Sequence, residues 1–119
     1  NILRDVGEDF EKGRIYFSQS MINQFDVDIK HAFHNQPTQN YIQLWEHYAQ
    51  IAEKDYQYTL DHLEVYKPEA RPIIELAALI YKGIIDEARQ HDYPLHRRVY
   101  VSRIKKLKIY RQIKNKYQE

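Results

Sequence analysis

The chain has 119 residues, with 18 lysines and arginines against 17 aspartates and glutamates and a formal net charge of +1. Because these charges nearly balance, the chain as a whole has no strong electrostatic attraction to nucleic acid. The sequence has no cysteine, which excludes disulfides, zinc–thiolate sites and thiol nucleophiles, and no apolar run is long enough to cross a bilayer.

The scarcity of glycine and proline favours helices over strands along the chain. The predicted helices cover 1–9, 18–24, 26–34, 38–65, 72–89 and 99–117, with a loop over 10–17. Ser18, Asp26 and Thr38 are predicted to cap the second, third and fourth helices, because a short side-chain oxygen can accept from the free N–H groups of a first turn. The first helix has no capping residue before it, so we expect the true N-terminus to lie upstream.

Two long helices are expected to form most of the core. In the helix over 38–65, largely apolar residues recur at helical spacing. They are Tyr41, Leu44, Trp45, Tyr48, Ile51, Ala52, Thr59 and Leu63. The helix over 72–89 is apolar on nearly every side, which is typical of a helix in the middle of a bundle, so further chain is expected to pack against it. The sequence therefore predicts an all-α fold that is part of a helical bundle.

The last predicted helix, over 99–117, belongs to the one strongly basic segment of the sequence. The cations of this segment are Arg97, Arg98, Arg103, Lys105, Lys106, Lys108, Arg111, Lys114 and Lys116. An apolar edge runs along the helix through Val101, Ile104, Leu107 or Lys108, Tyr110 or Arg111, and Ile113. A basic amphipathic helix can lie on an anionic membrane surface, although a solvated closing helix of the bundle is the more common case.

The opening run NILRDVGED contains three oxygen-bearing side chains at intervals of four residues, Asn1, Asp5 and Asp9. On a helix these side chains share one face. Amide and carboxylate oxygens are hard donors of the kind that Mg²⁺ takes, and three of them leave room for water and substrate phosphates. Arg4 lies beside this column, and its guanidinium suits a phosphate oxygen. The run therefore suggests a magnesium site.

Two further interpretations of this run concern Gly7 and Glu8. Gly7 has no side chain beside the carboxylates, so we expect it to let a ligand approach the backbone. The alternative to a metal site is a solvated acidic helix end in which Arg4 pairs with Glu8, four residues later. Spacing alone favours this alternative, because acidic residues four apart are common on helix surfaces.

The longer run NILRDVGEDFEKGRIYFS resembles the second aspartate-rich motif of the squalene and phytoene synthase family. That motif reads Asn-x-x-x-Asp-x-x-x-Asp and is followed by an Arg-x-Tyr loop, matched here by Arg14, Ile15 and Tyr16. The stretches LWEHYAQIAEKDY and PIIELAALIYKGIIDEARQ are similar to the bacterial dehydrosqualene synthases of this family. The resemblance covers essentially the whole chain, so 1–119 is expected to be the C-terminal portion of a single isoprenoid synthase domain.

The resemblance implies an all-α isoprenoid synthase bundle with Mg²⁺ as its cofactor. It also implies a reaction of carotenoid biosynthesis, the head-to-head condensation of two farnesyl diphosphates to dehydrosqualene through presqualene diphosphate. The implied metal ligands are Asn1, Asp5 and Asp9, of which Asp5 and Asp9 are also the implied catalytic residues. The implied substrate-binding residues are Arg4, Arg14, Tyr16 and Tyr81.

The family reaction uses two aspartate-rich motifs that face each other, and this sequence contains only the second, so the chain alone is expected to be inactive. The expected partners are farnesyl diphosphate and the missing N-terminal half of the same enzyme, and no nucleic acid is expected. The expected location is the cytoplasm, with a peripheral contact at the inner face of the membrane through the basic helix. The alternative, from a different class, is a small helical interaction module whose basic last helix binds RNA or an anionic membrane.

Overall fold

The structure, a computed structural model, describes residues 2–118, and every regular element within them is a helix. The helices are α1 (Val6–Glu11), α2 (Gln19–Gln24), α3 (Ile29–His34), α4 (Gln39–Asp61), α5 (Arg71–Gln90) and α6 (Arg103–Tyr117), with a 3₁₀ turn at Leu63–Val65. The predicted all-α fold is confirmed. None of these helices is both long and apolar enough to pass through a bilayer.

Side-chain caps explain where three of the helices begin. The hydroxyls of Ser18 and Thr38 each accept from the N–H three residues later, at 3.2 Å, as predicted for α2 and α4. The predicted cap at Asp26 is wrong, because Asp26 has a left-handed backbone with a φ of 54° and a cap residue is extended. Asp28 caps α3 instead, and its carboxylate accepts from a first-turn N–H at 3.0 Å.

The first and last helices begin later than predicted. Residues 2–4 form a turn, and α1 starts after them and runs past Asp9, so the predicted helix over 1–9 is wrong at both ends. The last helix starts only after Ser102, whose hydroxyl accepts from the N–H three residues later at 3.2 Å. The segment before this cap is not helical, and it buries Val99 and Val101 in the protein.

The core is built from buried side chains of α3, the first half of α4 and the end of α5. Tyr41, Leu44 and Trp45 are its largest fully buried side chains, each no more than 1% exposed, as their helical spacing predicts. The residues around them are Phe17, Ile22, Ile29, Ala32, Phe33, Ile85, Ala88, Leu95 and Val99. The Trp45 indole N–H donates to the Leu3 carbonyl at 3.0 Å. This hydrogen bond ties the opening segment of the chain to α4.

The helix α5 packs between α4 and α6, and it carries two buried carboxylates. The Glu75 carboxylate accepts from the Lys116 ammonium at 2.7 Å and from the Tyr117 hydroxyl at 2.8 Å. The Glu87 carboxylate accepts from the Lys105 ammonium. The prediction of an apolar surface on nearly every side of α5 is therefore wrong on the side that faces α6, where ion pairs fasten the two helices together.

Candidate active site

A cleft of about 290 Å³ opens between α4, α5 and the opening segment 2–4. Its walls are mainly apolar, with Ile51 contributed by α4 and Ile84 by α5. Among the described residues that line it, Arg4 and Asp55 are the charged ones. A cleft of this composition suits an apolar ligand that carries an anionic group near Arg4.

One wall of the cleft consists of α4 positions that recur at helical spacing. They are Trp45, Tyr48, Ile51, Ala52, Asp55 and Tyr56. The first four belong to the stripe predicted to be core, but Ile51 is 49% exposed and faces the cleft. The prediction fails there because helical periodicity marks an apolar face without distinguishing a packed core from a cleft wall.

Two of the predicted substrate-binding residues, Tyr16 and Tyr81, line this cleft. Tyr81 is 40% exposed, and its ring stacks on that of Tyr56 with the centroids 6.0 Å apart and the planes at 19°. Burial raises the pKa of the Tyr56 hydroxyl, so this group remains protonated at neutral pH. The two stacked rings present aromatic surface to the cleft, and sequence reasoning did not single out Tyr56.

Asp9 and Arg14, two further predicted site residues, meet in a second and much smaller pocket that Tyr16 also lines. The Arg14 N–H donates to the Asp9 carbonyl at 2.7 Å, so the loop after α1 folds back onto that helix. Tyr16 borders both the small pocket and the main cleft. The structure therefore places Asp9 and Arg14 next to the cleft and Arg4, Tyr16 and Tyr81 in its lining.

Asp5 immediately precedes α1, and two arginines hold its carboxylate. The Nε and Nη2 atoms of Arg4 donate to its two oxygens at 2.7 and 3.1 Å, and Arg98 Nε lies 3.6 Å from the same group. The hydrogen bonds from Arg4 hold the pKa of Asp5 below its ordinary value of 3.8, and the same pairing raises the pKa of Arg4. Both groups are therefore charged at neutral pH.

Arg98 belongs to this cluster, although in the sequence it counts only as part of the basic C-terminal segment. Its Nη2 atom donates to the Glu8 carboxylate at 3.1 Å. The predicted pairing of Arg4 with Glu8 is therefore wrong, since Arg4 bonds Asp5 and Glu8 bonds Arg98. No local pattern could reveal this role, because 90 residues separate Arg98 from Glu8.

Gly7 lies against the backbone of Leu95 and leaves no room for a ligand. A Cβ atom at Gly7 would lie 1.5 Å from the Leu95 carbonyl oxygen and 2.4 Å from the carbonyl carbon. The two backbones approach so closely that only glycine fits. The expectation that Gly7 admits a ligand is therefore wrong. Its contact instead positions the segment after α5, which carries Arg98.

Asn1, the first of the predicted metal ligands, lies outside the described residues. Asp5 and Asp9 are one helical turn apart, since the Asp9 N–H donates to the Asp5 carbonyl at 2.8 Å, and their carboxylates have the donor chemistry that Mg²⁺ prefers. Residues 2–118 contain no cluster of three or more acidic, histidine or cysteine side chains that could hold a metal, and Arg4 engages both oxygens of Asp5. These residues fit part of a magnesium site, which further donors would have to complete.

A sequence profile of the family described as squalene/phytoene synthase matches residues 1–105 of the chain. Over its whole length the chain is 52% identical to 4,4'-diapophytoene synthase of Staphylococcus haemolyticus. It is 36% identical to phytoene synthase of Thermus thermophilus over 78% of its length, and 30% identical to phytoene synthase of Arthrospira platensis over 90%. A crystal structure of a dehydrosqualene synthase in complex with ligand matches 98% of the chain, with a TM-score of 0.87 at 30% identity.

These relatives are longer than the chain. The chain spans 42%, 32% and 35% of the three relatives in the order given, and 41% of the solved structure. The structural match confirms the predicted helical bundle of the isoprenoid synthase type.

Proposed function

This chain belongs to the squalene/phytoene synthase family, and from that premise we propose that it forms one wall of the active site of a Mg²⁺-dependent synthase. The proposed reaction joins two farnesyl diphosphates head to head into presqualene diphosphate and converts this intermediate to dehydrosqualene, a step of carotenoid biosynthesis. The high identity to a relative named 4,4'-diapophytoene synthase supports this product over squalene or phytoene.

One observation carries the proposal: an apolar cleft and a charged cluster meet at Arg4. The Arg4 side chain lines the cleft and also bonds the Asp5 carboxylate. A farnesyl diphosphate has the same division, with an apolar chain at one end and a diphosphate at the other. A farnesyl chain lying along Ile51 and Ile84 would bring its diphosphate to Arg4.

Cleavage of the allylic C–O bond leaves a diphosphate, whose developing negative charge has to be stabilised. We assign this task to the guanidinium groups of Arg4 and Arg98, which lie together at Asp5. Arg4 would exchange the Asp5 carboxylate for phosphate oxygens, which it can bind with the same two-pronged geometry. A Mg²⁺ ion held by Asn1, Asp5 and Asp9 would supply Lewis-acid stabilisation of the same leaving group.

The rest of the cleft would protect the allylic carbocation that this cleavage creates. Apolar walls such as Ile51 and Ile84 exclude water, which would otherwise capture the cation. The stacked rings of Tyr56 and Tyr81 offer π faces, which attract a nearby cation. The complete reaction also needs a second aspartate-rich motif, so we expect farnesyl diphosphate to be turned over only when the N-terminal half of the enzyme is present.

The single tryptophan of the chain, Trp45, lines the cleft and provides a fluorescent probe of its occupancy. We expect farnesyl thiodiphosphate to quench this fluorescence with a saturable dependence on its concentration. The variant Arg4→Gln should weaken the binding at least about fivefold, since it loses a charge-assisted hydrogen bond. The control Lys30→Gln removes an exposed cation from α3 and should bind like the wild type. An interaction module without a synthase site predicts no saturable quenching, and that result would overturn the proposal.

A further inference from the structure

The helix α6 has an inner face, which packs on α5, and an outer face on the opposite side. Carboxylates of α5 neutralise the cations of the inner face, whereas the outer face stays charged. On the inner face, Lys105 and Lys116 pair with the buried carboxylates of Glu87 and Glu75, and Ile113 is only 6% exposed. Within residues 2–118 these two ion pairs are the only ones that α6 forms. Its other cations therefore face solvent without a carboxylate partner in the described structure.

The outer face of α6 consists of Arg103, Ile104, Leu107, Arg111 and Lys114, and all five are exposed. Ile104 is 71% exposed and Leu107 is 48% exposed. The helix contains no acidic residue, so nothing along it offsets the charge of this face. The residues of the predicted apolar edge therefore do not share one environment. Val101 and Ile113 are buried in the protein, whereas Ile104 is exposed on the outer face.

We propose that the outer face of α6 docks on the surface of an anionic phospholipid bilayer. Its three cations would lie among the lipid headgroups, to which juxtaposed lysines and arginines are attracted. Ile104 and Leu107 would enter the boundary between headgroups and acyl chains, where exposed apolar side chains of a basic helix are buried. The inference rests on α6 alone and does not depend on the proposed synthase reaction.

The exposed apolar side chains favour a lipid surface over RNA as the occupant. Proteins that bind single-stranded RNA add aromatic stacking or hydrogen bonds to their phosphate contacts. The outer face has aliphatic side chains between its cations. Moving these side chains out of water lowers the free energy, and a lipid surface allows that transfer. Tyr110 is 55% exposed beside this face, and tyrosine is a common side chain at the membrane–water interface.

Co-sedimentation with vesicles tests the proposal. We expect the chain to bind vesicles that contain phosphatidylglycerol, to ignore vesicles of phosphatidylcholine alone, and to dissociate as the salt concentration rises. The variant Arg103→Gln/Arg111→Gln/Lys114→Gln should weaken this binding at least about tenfold. Its control, Lys12→Gln/Lys30→Gln/Lys54→Gln, removes the same charge from exposed positions outside α6 and should bind like the wild type.

A second pair of variants tests the apolar contribution separately. Ile104→Gln should weaken vesicle binding at least about threefold, because it removes an inserted side chain. Val65→Gln changes a side chain that is equally exposed, at 70%, but lies in the 3₁₀ turn and should have no effect. Circular dichroism checks that each variant keeps its helices. Equal losses in a variant and its control, binding that ignores lipid charge, or binding to single-stranded RNA in place of the vesicles would each overturn the proposal.

Discussion

Arg4 and Asp5, neighbours in the sequence, form a two-pronged ion pair with N–O distances of 2.7 and 3.1 Å. Consecutive residues on a helix point in different directions, but this pair forms because residues 2–4 make a turn and α1 begins only after Asp5. The cation that we assign to the diphosphate and the anion that we assign to Mg²⁺ are therefore bound to each other. Binding of the diphosphate to Arg4 should free Asp5 for Mg²⁺, and binding of Mg²⁺ to Asp5 should free Arg4 for the diphosphate. We therefore expect each ligand to increase the affinity for the other.

The Asp5 carboxylate should stabilise the folded chain in a pH-dependent way. Replacing Asp5 by asparagine should lower the free energy of unfolding at neutral pH by about 1–3 kcal/mol, because hydrogen bonds to a charged group are lost. The folded-state pKa of Asp5 lies below its ordinary value of 3.8. Its stabilising effect is therefore complete above this ordinary value and disappears as the pH falls through the lower, folded-state pKa.

Urea unfolding of the wild type and Asp5→Asn across the acidic range measures this effect. The difference in free energy of unfolding should stay constant at pH values above 3.8 and shrink below that point. The control Asp61→Asn changes an exposed carboxylate at the end of α4 and should show a small difference at every pH. A constant difference between the wild type and Asp5→Asn throughout the acid range would contradict the ion-pair assignment.

Gly7→Ala should destabilise the chain by about 3 kcal/mol or more, because the new methyl group would overlap the backbone of Leu95 and a backbone has to move. Gly83→Ala is the matched comparison. There the new Cβ would meet the Val101 Cγ2 atom at 2.9 Å, so a side chain and not a backbone has to shift, and alanine favours the helix by about 1 kcal/mol. Denaturant unfolding should rank Gly7→Ala far below Gly83→Ala, and equal stabilities would show that the close approach to Leu95 is not present.

The ion pair between Lys105 and Glu87 should couple α6 to α5. Lys105→Met leaves the Glu87 carboxylate buried without its main partner and should lower the free energy of unfolding by about 1–3 kcal/mol. The double variant Lys105→Met/Glu87→Met should cost less than the two single changes added together, because it leaves no unpaired charge. Additive effects in this double-mutant cycle would mean that the two side chains do not interact.

Tyr81 should contribute an aromatic contact to ligand binding in the cleft. Tyr81→Ala should weaken the binding of farnesyl thiodiphosphate by about threefold to tenfold, whereas Tyr81→Phe keeps the ring and should bind almost like the wild type. Tyr110→Ala is the control, since it removes an exposed tyrosine from α6. Quenching of Trp45 fluorescence gives the affinities. A Tyr81→Phe variant as weak as Tyr81→Ala would assign the contribution to the hydroxyl and contradict the stacking role.

Short-range chemistry made much of the fold predictable. The caps at Ser18 and Thr38 need only a hydroxyl and a first turn, so local sequence was enough to find them. Asp26 and Asp28 carry the same side chain two residues apart, and only the backbone conformation decides which of them caps α3. That conformation depends on the packing of the whole bundle, which local spacing does not describe.

The site was predictable only where its residues are close in the sequence. The spacing of Asp5 and Asp9 correctly places them one helical turn apart. Arg98 reaches the same cluster from the far end of the chain, and Gly7 is required by its contact with Leu95, so neither role leaves a local pattern. Ile51 shows the remaining ambiguity, since an apolar face looks the same whether it meets a core or a cleft.

A chimaeric enzyme tests the central claim most directly. In it, this chain replaces the aligned 42% of the Staphylococcus haemolyticus 4,4'-diapophytoene synthase, and the purified protein is given farnesyl diphosphate with and without Mg²⁺. We predict Mg²⁺-dependent formation of dehydrosqualene, its loss in the Asp5→Asn variant and its retention in Asp61→Asn. A folded chimaera that forms no dehydrosqualene, or one that remains fully active as Asp5→Asn, would contradict the account.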